Sequence, residues 1–555
     1  MGPTLSRRAL APRALTGGIA GAAAMIAVVT VVSRVAGFGR TVVQSGEVGA
    51  TALGDAYNTA NLLPNVLFEV AAGGALAGAV VPLLAAPLAR SMKGEVDRIA
   101  SALLGWCLVV LVPLAVLLAL LADPLAELLL RDAPRAQVDV AAALLRVFAP
   151  QVPLYGVGVV LTGVLQAQRR FLGPALAPLL SSLVVIAVYL AFGRLVPDPT
   201  DLGAVPPAGI SLLGWGTTAG VAALSLPLLV PVRRTGVRLR PTLRFPPGVA
   251  RRARSLAAAG LGALLAQQVS VVATIVLANQ FGARDAVGGA GTLSVVLYSQ
   301  AVYVLPYAVL AVPVATAVFP RLAERASQGD TVGYARLVAG TTRVLLVVAV
   351  LGATMLVAAA PAVERFFAVY GTGTFTGMAA GLSWTAPGLV GFTLVFHLSR
   401  ALYALERGRA AVVAAASGWL TVAVTAVVLV PLLTGGTRDQ TGTLVGLGAA
   451  NTVGMVVAGA ALAVAVSRAA GGAAMHRVGR TAVVVAAAGA LAVTAGRGAL
   501  GLLGTLDDVG VVGAMGAGVL AGGVAAAVVL VAVGALDRSS LRAVLRRGAA
   551  GSTDA

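Results

Sequence analysis

Arg34, Arg40, Asp55 and Glu69 stand inside the first two of a long series of apolar segments. Only Arg146 joins them there from the chain's 40 basic and 21 acidic residues. An ionisable group at bilayer depth costs roughly 2.5–3.5 kcal/mol on insertion scales, so it marks a polar cavity and whatever enters it. Arginine stays charged when buried, and its planar fork matches phosphate oxygens two at a time, so a pair can hold a phosphate or pyrophosphate. In Ser33-Arg34-Val35-Ala36-Gly37-Phe38-Gly39-Arg40 the two guanidinia are six residues apart, on different faces of an ideal helix. Gly37 and Gly39 would let that turn unwind and bring both inward. The next segment opens at Gly54-Asp55 and reaches Glu69, with Asn58, Asn61 and Asn65 between them. A spacing of 14 residues is about four turns, so Asp55, Asn58, Asn65 and Glu69 can share a face, and Pro64 predicts a kink. Asp55 is placed to pair with Arg34 or Arg40 when nothing else does. The candidate binding set is therefore Arg34, Arg40, Asp55, Asn65 and Glu69. Snorkelling of Arg40 to an interface and a purely structural ion pair are the alternatives.

The elements that must position these residues are membrane helices. The chain has 555 residues, 59% hydrophobic and 11% charged, with a mean hydropathy of +0.95. Soluble proteins carry about 25% charged residues. Fourteen apolar stretches are each long enough to cross a ~30 Å hydrocarbon core: 18–40, 52–88, 99–122, 141–165, 173–193, 208–232, 255–280, 291–319, 344–362, 376–399, 410–434, 443–467, 481–496 and 510–536. With the N-terminus in the cytoplasm, the cytoplasmic loops hold 30 Arg/Lys and 7 Asp/Glu, and the outer loops 7 and 12. That is the positive-inside bias, and it places both termini in the cytoplasm of a bacterial inner membrane. The net charge of +19 is thus topology and contact with anionic lipid, and no nucleic-acid role follows. Cys107 is the sole cysteine, which excludes an intrachain disulfide and a multi-thiolate metal site.

Residues 163–171 and 400–408 align at an offset of 237, and Pro82-Leu83-Leu84-Ala85 aligns with Pro320-Arg321-Leu322-Ala323 at 238. The expected architecture is an all-α polytopic membrane protein of about 14 transmembrane helices. Two pseudo-symmetric six-helix lobes, residues 1–240 and 241–470, would be followed by helices 13–14 and a cytoplasmic tail, 471–555. An even number of spans per lobe makes the repeats parallel, the arrangement in which transporters hold cargo between lobes. Arg146, Gln267, Gln268, Tyr298, Gln300, Tyr303 and Tyr307 are weaker cavity candidates, and His397 reads as packing. No nucleotide loop, metalloprotease motif or nucleophile elbow is present, so no enzyme activity and no cofactor is expected.

From the motif at Ser33–Arg40 through Asp55-Ala56, Leu63-Pro64-Asn65, Gln166–Pro178, Leu305-Pro306 to Pro320, and Ala401-Leu402-Tyr403-Ala404-Leu405, the chain resembles the MurJ/MviN lipid II flippases. These belong to the multidrug/oligosaccharidyl-lipid/polysaccharide exporter superfamily, and the chain looks like a divergent, actinobacterial-type member. The resemblance implies a flippase that moves undecaprenyl-pyrophosphate-linked peptidoglycan precursor outward by alternating access. It places the cavity arginines at Arg34 and Arg40 and the helix 2 aspartate at Asp55. Implied partners are the lipid-linked precursor, membrane lipids and cell-wall synthesis enzymes. The chain departs from the family pattern at Thr41, where an aspartate is usual, and at Val66-Leu67-Phe68-Glu69 and Gln300-Ala301, where basic residues are common. Fewer cavity cations leave three alternatives: another lipid-linked saccharide, a cation-coupled antiporter of small molecules, or a non-transporting scaffold.

Overall fold

A computed structural model describes residues 13–282 and 291–536. Every expected apolar segment lies in a helix. These are α1 (Arg13–Glu47), α2 (residues 52–89), α3 (Lys93–Leu120), α4 (Arg135–Ala167), α5 (Leu172–Leu195), α6 (Pro207–Arg234) and α7 (Val249–Phe281). They continue as α8 (Thr292–Ser327), α9 (Thr331–Tyr370), α10 (residues 378–404), α11 (Gly408–Leu433), α12 (Gln440–Ala470), α13 (Gly472–Gly501) and α14 (Val511–Leu536). Among the described residues eleven of these are long and apolar enough to span a membrane. The count is twelve when the two pieces of α10, bent by 41°, form one span. The two helices outside that set are α1 and α2, which carry Arg34, Arg40, Asp55 and Glu69.

The helices outrun the apolar stretches. α9 extends over 40 residues and takes Arg336, Arg343, Glu364 and Arg365 into helix, α10 takes in Arg400, and α13 takes in Arg497. Hydropathy marks only the part of a helix that matches the hydrocarbon slab, while backbone hydrogen bonding carries the helix on at both ends.

The expected repeat has a counterpart in the corners of the fold. Ser91 (φ 56°) and Gly329 (φ 70°) are left-handed at an offset of 238, and Arg169 and Glu406 (both φ 58°) at 237. Each closes its helix with a bond back across the last turn: Met92 N to Pro87 O and Asp330 N to Arg325 O, Arg170 N to Leu165 O and Arg407 N to Leu402 O, all 2.8–3.0 Å. This is the Schellman ending, which satisfies the last free carbonyls of a helix. Three of these four left-handed residues are not glycine, and the same corner recurs in each half.

Between α6 and α7 the linker lies extended along α3. Arg238 N donates to Asp97 Oδ1 (3.0 Å), Arg240 N to Ser101 Oγ (3.0 Å), and Trp106 Nε1 to Leu243 O (3.0 Å). A Cβ added to Gly105 would stand 2.1 Å from the Thr242 carbonyl oxygen, so the strap requires glycine there. α13 and α14 pack on α9. Val413, Leu420, Val424 and Val428 leave α11 outward, as befits a surface that faces lipid.

Candidate functional site between the lobes

Where α1 passes into α2, the two halves of the molecule are sealed together. Asp55 is buried on the first turn of α2, and its carboxylate accepts from the start of α8. Ser294 N donates at 2.8 Å, Ser294 Oγ at 2.7 Å and Leu293 N at 3.3 Å. No carbonyl of α8 itself reaches those N–H groups, and a carboxylate there also meets the positive end of the helix dipole. One turn on, Asn58 Nδ2 donates to Ser294 Oγ and its Oδ1 accepts from Gln44 Nε2, both at 2.9 Å. Tyr298 OH donates to Gly49 O (3.1 Å), Ala50 N to Thr372 O (2.7 Å) and Thr372 N to Ser45 O (2.8 Å). Gly291 (φ 150°) and Gly373 (φ 96°) lie so close to Ala50 that an added Cβ would stand 2.3 and 2.1 Å from its backbone.

Asp55 therefore sits on α8 and not beside Arg34 or Arg40, and none of the ion pairs among the described residues involves it. Nothing in the sequence announces its partner. The first turn of α8 lies some 240 residues away and carries no motif, only two backbone N–H groups and a serine.

Back along α1, Arg34 is exposed and Arg40 half-buried, and neither makes a hydrogen bond or ion pair with any described residue. The unwinding expected at Gly37 and Gly39 does not occur: α1 is helical throughout, and a Cβ on either glycine would meet nothing within 4 Å. Because the helix is intact, the two guanidinia diverge. The charge of Arg40 reaches Tyr57, Tyr155 and Tyr189 of the first lobe, where the Tyr57 hydroxyl bonds those of Tyr189 and Thr217 at 2.9 Å. The charge of Arg34 reaches Tyr307 on α8, in the second lobe.

Pro64 is followed by a π-helical turn, Glu69–Gly73, and Pro306 by another, Tyr307–Ala311. Glu69 and Tyr307 open these turns at an offset of 238, so the same interruption recurs in each half. Single π turns are frequent at functional sites because they free a backbone group and re-aim a side chain. Glu69 is half-buried and Asn65 exposed; neither side chain bonds a described residue. Thus Asp55 and Asn58 belong to the seal, while Asn65 and Glu69 lie further along α2.

The remaining candidates divide. Arg146 pairs with Asp123 at the surface. Gln267, Gln300 and Tyr303 line a cavity of about 170 Å³ that Leu62 of α2 also borders. Tyr298 joins the seal, and His397 is buried. Among the described residues no three of His, Cys, Asp or Glu are grouped to hold a metal. No signal in the sequence singles out Arg400, which lies one residue past an apolar stretch. Its guanidinium sits 3.5 Å from the centroid of the Phe396 ring.

Comparison with known proteins bears on the family and the fold. The family model described as "Lipid II flippase MurJ" matches residues 46–503. The chain is 27% identical over 310 residues to a probable lipid II flippase MurJ of Rhizobium meliloti (strain 1021), covering 54% of each chain. It is 23% identical over 389 residues to that of Buchnera aphidicola subsp. Acyrthosiphon pisum (strain APS), covering 69% of this chain and 72% of the relative. The first of these matches thus spans only about half the length of the relative. A solved structure titled "Lipid II flippase MurJ, inward closed conformation" superposes with a TM-score of 0.69 at 17% identity, over 93% of this chain and 99% of that one. An inward-facing multidrug resistance MATE family transporter follows at 0.61 and 15% identity, over 79% and 95%. With a family model matching most of its length, the chain belongs to the lipid II flippase MurJ family.

Proposed function

We propose that this chain translocates an undecaprenyl-pyrophosphate-linked peptidoglycan precursor across the bacterial cytoplasmic membrane by alternating access. In this reading the lobes are residues 1–240 and 241–470, and residues 471–555 add α13, α14 and a tail. Both termini are cytoplasmic, so the seal around Asp55 closes the outer side.

The observation that carries the reading is the pair Arg34 and Arg40 on α1: two cations that bond no described residue, in a chain of this family. An arginine cannot shed its charge, so leaving it unpaired within a membrane protein is costly unless an anion arrives. A pyrophosphate fits that need, with bidentate bonds to the guanidinium forks while the polyprenyl tail stays in lipid. Asn65 offers an amide to the sugar or phosphate groups, and Glu69 opposes the arginines when the anion must leave. Asp55 acts through the seal: it holds α8 against α2 and so sets how readily the outer side opens. Cargo drives the cycle only by binding one lobe arrangement more tightly than the other.

The test is outward translocation of lipid II in cells depleted of their own flippase, with this chain or its Arg34→Ala form supplied. The parent should restore translocation, and Arg34→Ala should insert normally yet fail. Equal translocation by the two would sink the assignment.

A further inference from the structure

Apart from Arg40, the half-buried arginines of this protein are tied to their surroundings, with Arg400 set apart by how it is held. Arg497 donates Nε to Val357 O and Nη2 to Ser383 Oγ, both at 2.9 Å; Arg365 donates Nε to Val509 O at 2.8 Å; Arg343 donates Nε to Ala339 O at 3.4 Å. Arg400 on α10 differs. Its Nη1 is buried without a hydrogen-bond partner, and no carboxylate among the described residues pairs with it. What holds it is an aromatic face. The guanidinium stacks 3.5 Å from the Phe396 centroid, and that ring meets Tyr307 edge-on at 5.5 Å. Tyr307 also packs on Phe392 at 4.7 Å. Stacking fixes the plane of the guanidinium and leaves its N–H edge free, the geometry that suits a bidentate anion. Tyr307 thus stands one ring from Arg400, and α1, which carries Arg34, packs against the same helix α8. Before Pro320, α8 contributes no basic residue of its own.

We propose that Arg400 is a phosphate-binding residue of the interlobe site, and that it holds the pyrophosphate of the cargo from the second lobe while Arg34 holds it from the first. This rests on the flippase reading above and adds to it a residue and a coupling. One dianion held by a cation from each lobe draws the two lobes together at the level of Tyr307. Bound cargo then favours closure on the side away from the seal, and the empty site does not.

The test is direct binding of lipid II, undecaprenyl pyrophosphate and undecaprenyl monophosphate to the full-length purified chain in detergent, by native mass spectrometry. Parent, Arg34→Ala, Arg400→Gln and Arg400→Lys are compared. Loss of one charge-assisted bidentate contact predicts about ten- to hundred-fold weaker binding of the two pyrophosphate lipids by Arg400→Gln. It also predicts a narrower gap between pyrophosphate and monophosphate lipids than in the parent. Arg400→Lys, which keeps the charge without the fork, should fall between, and it carries the test alone if Arg400→Gln does not insert. Parent-like affinity and an unchanged gap in Arg400→Gln, with binding lost in Arg34→Ala, would overturn the assignment of Arg400 and leave the flippase reading standing. A parent chain that binds none of the three lipids would overturn both.

Discussion

Replacing Asp55 with asparagine tests the seal at its most connected point. The aspartate accepts three hydrogen bonds from the first turn of α8, at 2.7, 2.8 and 3.3 Å. Asparagine is isosteric but offers one carbonyl oxygen, and its amide nitrogen would face an N–H donor across the lobe boundary. At least one of the three bonds is lost and another weakened, along with the attraction of a full charge to the helix N-terminus. Each charge-assisted bond contributes about 1.5–3 kcal/mol in place. Opening the seal gives the same groups back to water, so the net shift in the sealed-to-open equilibrium is about 2–3 kcal/mol, or about 30- to 150-fold. The chain supplies its own reporter, because its only cysteine, Cys107, is buried. A Ser45→Cys substitution places a thiol at a fully shielded position of the seal. Its labelling by a membrane-impermeant maleimide, added from outside to intact cells, should rise by that factor when Asp55→Asn is added. A rate unchanged, or lowered, by Asp55→Asn would refute the claim that this carboxylate holds the lobes shut.

Two further substitutions probe the packing that supports the site. At Gly391, where α10 crosses α12, a Cβ would stand 2.1 Å from the Met455 carbonyl oxygen. Neither backbone can yield cheaply, so Gly391→Ala should cost about 1–3 kcal/mol and lower the thermal midpoint in detergent, and a parent-like midpoint would contradict the crossing. Arg497→Met removes two bonds that tie α13 to α9 and α10, worth about 1–3 kcal/mol together. Limited proteolysis should then cut the 502–510 loop faster while the twelve preceding helices resist as before. Equal cutting would mean that the tie contributes nothing.

The architecture was legible because a bilayer demands long apolar helices. All fourteen segments lie in helices, and the recurrence at 237–238 reappears in paired left-handed corners and paired π turns. The site was legible where a residue is anomalous by itself: Arg34, Arg40, Asp55 and Glu69 stand out against apolar neighbours. It was not legible where the partner is ordinary. The N-terminus of α8 gives no hint that it will receive Asp55, and Gly37 and Gly39 looked like an unwound turn until the surrounding helix supplied every backbone bond. Arg400 lies at the edge of an apolar stretch, where arginines are common anchors. Only the stacked Phe396 and the unpaired Nη1 separate it from those.

The strap along α3 limits how the machine can move. Its last attachment is the carbonyl of Leu243, and α7 begins at Val249, six residues later. Six residues reach at most about 20 Å when fully drawn out, and Pro246-Pro247-Gly248 in that interval is stiff until the left-handed glycine at its end. The two halves are thus leashed on a short cord with a single swivel. Such a joint allows one half to tilt against the other about a nearly fixed point but leaves no slack for them to slide or drift apart, so this connection behaves as an axle.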